Sequence, residues 1–276
     1  MDHLSKPVVV AVKDKQPTAI RFAVGEARRL GTTLRVVHCV DVKDDLADLH
    51  GHRMFSGEMS REAQTVLDAA RHFIEQELPV PPHVEYRLIS DTPVAALQRE
   101  SAAVMVVGSD QVTWPRRLLG AAVASRLVGA AEWPVVVVPE LHHPRERRSG
   151  VVIAADAGGF MPWDALHFAF EEARHRSTHV IVLHAVSVER SREDAERARS
   201  RIANVLTRWR ATHPGVRAMS TAVTQDAVVA CIHASRHAEL LVLGRPRQPE
   251  TPHAWRRAIF DAVIREAASP VAIVPS

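Results

Sequence analysis

The chain has 276 residues, of which 46% are hydrophobic, 24% charged and only 5% aromatic, with a formal net charge of +3. No apolar run approaches the ~20 residues of a membrane span and no N-terminal basic-then-apolar signal pattern occurs, so a soluble, cytoplasmic protein is expected. Arginines cluster only locally, at Arg116-Arg117, Arg145-Glu146-Arg147-Arg148 and Arg256-Arg257; nucleic-acid binding, which calls for a continuous basic face with interleaved aromatics, is not expected.

The predicted elements run in chain order as strand Val8–Val12, helix Thr18–Leu30, strand Leu34–Val40, helix Ser60–Leu78, strand Val84–Ile89, helix Pro93–Ser101, strand Ala103–Val107, helix Arg117–Ala131 and strand Val135–Val138. The strands are short, continuous runs of Val, Ile and Leu without polar alternation, as expected when helices cover both faces of a parallel sheet. This predicts an α/β, doubly wound unit. Ile20, Ala23, Val24 and Ala27 have the i, i+3, i+4, i+7 spacing of one buried helical face. Gly31 is placed to cap the first helix at its C-terminus. Pro93 follows Asp91-Thr92 at a strand-to-helix turn, where proline suits the first turn and an oxygen-bearing side chain can cap exposed amides. Residues Val42 to Met59 read as a surface insertion.

The second half repeats the first. Val104-Met105-Val106-Val107-Gly108 and Trp133-Pro134-Val135-Val136-Val137-Val138-Pro139 return as Leu240-Leu241-Val242-Leu243-Gly244 and Ser269-Pro270-Val271-Ala272-Ile273-Val274-Pro275, with 26 residues from glycine to proline in both. Val8–Val12 matches Val151–Ala155 at an offset of 143, whereas Ala23–Arg28 matches Ala169–Arg174, and His38 matches His184, at 146. The counterpart of the first helix stripe is Leu166, Ala169, Phe170 and Ala173. The charged, proline-containing stretch His142–Ser149 reads as an exposed linker, dividing the chain into repeats at 1–141 and 149–276. Cys39 and Cys231 lie in different repeats without a Cys-x-x-Cys spacing, so both are read as buried thiols.

These features together resemble the universal stress protein family in tandem form: a Val-Val-Val-Ala-Val strand entering a polar turn, a Val-x-His-x-Val pattern at His38 and again at His184, a Val-Val-Gly strand, and a closing Pro-Val-Val-Val-Val. The resemblance covers nearly the whole chain. It implies two five-stranded parallel units of flavodoxin-like, HUP-type topology with strand order 3-2-1-4-5. It also implies that the last strand of each unit pairs with a partner, here internally through Val135–Val138 and Val271–Val274.

In that family the nucleotide binders carry an aspartate ending strand 1 and a G-x-x-G, nine residues, G-S/T pattern after strand 4. Glycines let backbone amides approach phosphates, and the following helix N-terminus adds a positive dipole. Repeat one keeps Gly108 but has Lys13 in place of the aspartate, Gln111 for the second glycine and Ala121-Ala122 for Gly-Ser. Gly120 stands one position out of register, and Asp14 is the substitute carboxylate on offer. Trp114-Pro115 brings bulk and removes an amide donor from the loop. Repeat two keeps Asp156, followed by Ala157-Gly158-Gly159, and keeps Gly244, but Arg245-Pro246-Arg247 and Arg257-Ala258 replace the rest. Arg245, Arg247, Arg256 and Arg257 offer guanidinium forks to an anion; the alternative is a solvated loop.

Sixteen histidines include the pairs His50-Gly51-His52 and His142-His143, neither with a third ligand at a supporting interval, so no metal is expected. His38 and His184 are read as structural, each with its polar tip on solvent or a backbone carbonyl. No G-x-S-x-G, G-x-G-x-x-G or P-loop lysine motif occurs. The expectation is a non-enzymatic stress-response protein with degenerate ATP sites and no required cofactor, acting on a protein partner or a small anionic ligand. The alternative is an ATP-binding protein using the Asp156/Gly244 side.

Overall fold

The chain divides into two units, Met1–Glu140 and Leu141–Ser276. The structure, a computed structural model, describes residues 6–14, 16–40, 56–109, 117–140, 150–156, 159–186, 191–245 and 253–276, without the helical side chains at 56–60, 77, 117–122 and 253–258. Most of the proposed insertion, the linker, Gln111, Trp114-Pro115, Gly158, Arg247, the side chains of Arg256 and Arg257, and the pairs His50/His52 and His142/His143 lie outside the described residues.

The first unit contains β1 (Val8–Ala11), α1 (Pro17–Leu30), β2 (Leu34–Val40), α2 (Ser56–Glu77), β3 (Val84–Ser90), α3 (Pro93–Gln98), β4 (Val104–Ser109), α4 (Arg117–Ala130) and β5 (Val135–Pro139). Its strands lie in the order β3-β2-β1-β4-β5, all parallel, with Val8 beside both Leu34 and Val104. The second unit contains β6 (Val151–Ala155), α5 (Trp163–His175), β7 (Val180–Ala185), α6 (Arg192–Thr212), β8 (Ala218–Val223), α7 (Ala227–Ser235), β9 (Leu240–Arg245), α8 (His253–Glu266) and β10 (Val271–Pro275). Its order, β8-β7-β6-β9-β10, again parallel throughout, is the same 3-2-1-4-5 pattern. Two copies of this α/β fold are therefore present, as the repeated motifs require.

Central strands are sealed on both faces. Val8, Val9 and Val10 of β1, and Leu240, Leu241 and Val242 of β9, have no exposed surface. The helix stripes take the places their spacing predicts. Ile20, Ala23, Val24 and Ala27, like Leu166, Ala169, Phe170 and Ala173, are all buried. Burial of such a stripe, at roughly 25 cal/mol per Å² of apolar surface, is what fixes each helix on its sheet. The duplication extends to a buried carboxylate: Glu26 accepts from Arg29 Nη2 at 2.5 Å and Glu172 from Arg176 Nε at 2.9 Å, so each buried charge is met by a guanidinium one turn on.

Several boundaries differ from the sequence-based expectation. The second helix begins at Ser56, four residues before the expected Ser60, so the tail of the proposed insertion is helical. The α3 helix stops at Gln98 rather than Ser101, and β4 continues through Gly108 to Ser109. Gly31 caps α1 with φ 62 as expected. Thr92 makes no side-chain cap; instead Asp91 Oδ1 accepts from the Thr92 amide at 2.6 Å. In the second unit the corresponding turn is capped by Asp226, which accepts from Val228 N at 2.9 Å and Val229 N at 3.3 Å. Cys39 is half-buried rather than fully buried, whereas Cys231 is buried.

Candidate functional site

In a doubly wound sheet of this order the ligand crevice opens at the carboxyl ends of the first and fourth strands, where the winding reverses. The first unit builds that place from the turn between β1 and α1. The carbonyl of Val12 accepts from His38 Nδ1 at 2.7 Å, which puts the imidazole proton on Nδ1 and gives His38 its structural task. Lys13 and Asp14 follow, both exposed. Gln16 is the residue before α1, and its side chain makes no cap to the helix. It lies instead over Gly108: a Cβ at Gly108 would stand 2.6 Å from Gln16 Nε2 and 3.0 Å from Cδ. The hollow that glycine leaves in β4 thus holds a primary amide. Gly120 lies within α4, so its amide belongs to a helical segment.

The second unit solves the same turn differently. Asp156 N donates to Phe160 O at 2.9 Å, the Phe160 amide donates to Asp156 Oδ1 at 2.8 Å, and Gly159 N donates to Asp156 O at 2.9 Å. The carboxylate expected to face a ligand is engaged in closing its own loop. Gly159 is required there twice over. Its φ is 76, and a Cβ would meet the Ala198 carbonyl of α6 at 2.6 Å, so neither conformation nor space admits a side chain. The loop delivers Pro162 to the start of α5, and the proline ring rests on Gly244. A Cβ at Gly244 would lie 2.5 Å from Pro162 Cγ, 2.6 Å from Cδ and 3.2 Å from Ala165 Cβ.

Gln16 and Pro162 are counterparts at the offset of 146. Each unit therefore lays the same residue position over the same retained glycine. An amide on a flexible stem can swing away; a pyrrolidine ring fixed in a helix start cannot, and it offers no donor. Arg245, next to Gly244, is half-buried, and burial pulls its guanidinium pKa below the ordinary value. Its carbonyl accepts from Ser276 N at 3.0 Å. His184 is 2% exposed, so of the two surroundings expected for its polar tip, solvent or a backbone carbonyl, it is not solvent that it meets.

The sequence reading singled out Gly108, Gly244, Asp156 and Lys13; Gln16 and Pro162, which lie over the two glycines, stand outside the glycine pattern and were not named. It also missed an aromatic group on the second unit. Trp209 stacks on His213 at a centroid distance of 4.9 Å and packs against Phe170 at 5.0 Å and Trp163 at 4.7 Å. The signal was present as Trp163, His167 and Phe170 at i, i+4, i+7 facing Trp209 and His213 at i, i+4. Among the described residues, no helix is long and apolar enough to cross a membrane and no group of three His, Cys, Asp or Glu side chains is arranged to hold a metal.

The model of the Universal stress protein family matches the chain twice, at residues 5–139 and 150–275. Universal stress proteins of Mycobacterium bovis and Mycobacterium tuberculosis are each 26% identical over 195 residues, covering 65% of this chain and 61% of theirs; the matched region thus spans less than two thirds of those relatives. The crystal structure of a universal stress protein from Archaeoglobus fulgidus has a TM-score of 0.73 at 16% identity, covering 99% of this chain and 98% of its own. A functionally unknown protein from Pseudomonas aeruginosa has a TM-score of 0.59 at 15% identity, covering 99% and 93%. With two complete matches on two copies of one parallel α/β unit, the chain belongs to the universal stress protein family as a tandem member.

Proposed function

We propose that this chain is a non-enzymatic, cytoplasmic stress-response protein whose two nucleotide crevices are degenerate, and that it acts by binding a protein partner or a small anionic ligand. The observation that carries this reading is the Pro162 ring seated on Gly244. A triphosphate reaching the end of β9 would have to displace a ring held by the helix that follows it. Gln16 over Gly108 supports the same conclusion in the first unit, where the site's carboxylate is also replaced by Lys13. In the second unit Asp156 is retained, but its Oδ1 already accepts from the Phe160 amide. The missing glycines and the prolines Pro115 and Pro246 reduce the supply of free amides that phosphate binding needs. The sequence carries no G-x-S-x-G, G-x-G-x-x-G or P-loop lysine motif that would support turnover.

Titration calorimetry of the full chain with ATP and magnesium, together with mass spectrometry of small molecules released on heating and a phosphate-release assay, tests the proposal. The expected result is no saturable submillimolar binding, no co-purified nucleotide and no hydrolysis. Binding that disappears in Asp156→Ala would replace this reading with an ATP site in the second unit.

A further inference from the structure

The two units differ at one edge of their sheets, β3 in the first and β8 in the second. The edge strand of the first unit, β3, carries Glu85 and Arg87, and Glu85 accepts from Arg35 Nε at 2.8 Å in an ion-pair group that also includes Glu100. Charged edge strands resist pairing with other chains. The edge strand of the second unit, β8, reads Ala218-Met219-Ser220-Thr221-Ala222-Val223 and has no charge and no proline. Residues 219 to 222 are exposed in succession, Met219 at 49%. Among the described residues β8 pairs only with β7.

The direction of its backbone groups follows from two bonds. Val180 N donates to Arg217 O and Val186 N donates to Val223 O, so the odd-numbered carbonyls of β8 face β7. In a regular strand the even-numbered residues Ala218, Ser220 and Ala222 then turn their N–H and C=O outward. Ala218 is already covered, since its carbonyl accepts from Arg210 Nη2 at 2.5 Å. The open pairing groups are those of Ser220 and Ala222.

We propose that β8 is a self-association edge: two copies of this chain pair antiparallel through β8 about a two-fold axis at Thr221. In that register Ser220 of each copy exchanges both backbone bonds with Ala222 of the other, and Ala218, with its Arg210 cover, stays outside the bonded region. Thr221 meets Thr221, and Met219 meets Val223, as closely spaced pairs without backbone bonds, where β-branched and long apolar side chains interact best. The ends also match in charge. Arg210 and Arg217 lie at the start of β8 and Asp226 beyond its end, so antiparallel pairing sets the basic end of each copy beside the acidic end of the other. A two-fold interface of this kind closes on itself and stops at a dimer.

Sedimentation of the full chain over a wide concentration range tests this. The expected result is a concentration-dependent rise from the 30.5 kDa monomer to twice that mass. Thr221→Lys puts two like charges directly opposite one another and is expected to return the chain to monomer, while an Arg87→Ala change on β3 leaves the dimer intact. Ser220→Pro removes an N–H that points outward and therefore breaks no bond to β7; it is expected to act like Thr221→Lys, with circular dichroism and melting unchanged to show that the unit still folds. In Thr221→Cys, mild oxidation is expected to cross-link the dimer to completion, above the level seen in the unaltered chain. A monomer at every concentration, or a dimer indifferent to both Thr221→Lys and Ser220→Pro, would overturn the proposal.

Discussion

The turn from β1 to α1 and the turn from β6 to α5 descend from one pattern and cover one glycine each, yet the first does it with a movable amide and the second with a fixed ring. The second turn also carries its own bracing: Asp156 clasps Phe160, and Gly159 lets helix α6 come within contact of the loop. Two lobes of one fold thus cover the same retained glycine by different routes. One route leaves the space reclaimable by rotating a side chain. The other replaces it with packing that is part of the unit's stability.

The largest expected effect lies at Gly159. Substituting alanine forces both a left-handed backbone on a residue with a Cβ and a clash with the Ala198 carbonyl, and a loss of about 2–4 kcal/mol is expected. Because two units need not unfold together, hydrogen exchange of β6 and β7 is the appropriate measure, with β1 and β2 as the internal control. If the first unit loosens equally, the two turns are not independent.

The comparison is sharpened by placing alanine at each retained glycine. Gly244→Ala drives a methyl into the Pro162 ring and Ala165, and is expected to cost about 1–3 kcal/mol in the second unit. At Gly108→Ala the three nearest atoms all belong to the unbranched Gln16 side chain, so a change of about 0.5 kcal/mol or less is expected. Equal losses in β4 and β9 exchange would mean that the Gln16 amide is held as firmly as the proline.

These contrasts mark how far the sequence could be read. The offset of 146 aligns Ile20 with Leu166 and Glu26 with Glu172, and every one of those positions is buried, because helical spacing and the continuous apolar strands encode burial directly. Gly108 and Gly244 were visible because each closes an apolar strand run that recurs in both repeats. What fills the space above them was not, because Gln16 and Pro162 are brought there by the turn conformation, which depends on contacts with a strand more than 80 residues away. Asp156 is a related case: a carboxylate after strand 1 reads as a ligand group, and the hydrogen bond from the Phe160 amide adds a task in the turn that the sequence does not announce. Cys39 was read as buried from its place in a strand, but β2 exposes its C-terminal end.

The smallest expected effect concerns acid. Glu171 hydrogen-bonds Arg174 at 2.6 Å, with His213 at 3.6 Å and His175 at 4.0 Å. The Arg174 bond above all holds the Glu171 carboxyl below its ordinary value of 4.5. A carboxylate depressed in the folded state stabilises fully above its unfolded pKa and loses that contribution as pH falls through the folded value. The second unit should therefore weaken below about pH 4.5, by only a few tenths of a kcal/mol because the group is largely screened by water. Melting of Glu171→Gln against the unaltered chain between neutral pH and pH 3 checks the sign; a variant with the greater loss on acidification would refute it.

Both thiols are poor nucleophiles. Burial, with a smaller contribution from nearby carboxylates, pushes Cys39 and Cys231 up to about 12, and the chain has no other cysteine. The thiolate is the form that attacks peroxide and electrophiles, and burial disfavours it at both sulfurs. Oxidation of the two cysteines is therefore expected to be slow, and both units should keep their melting behaviour under mild oxidants that inactivate proteins with exposed, ionised cysteines.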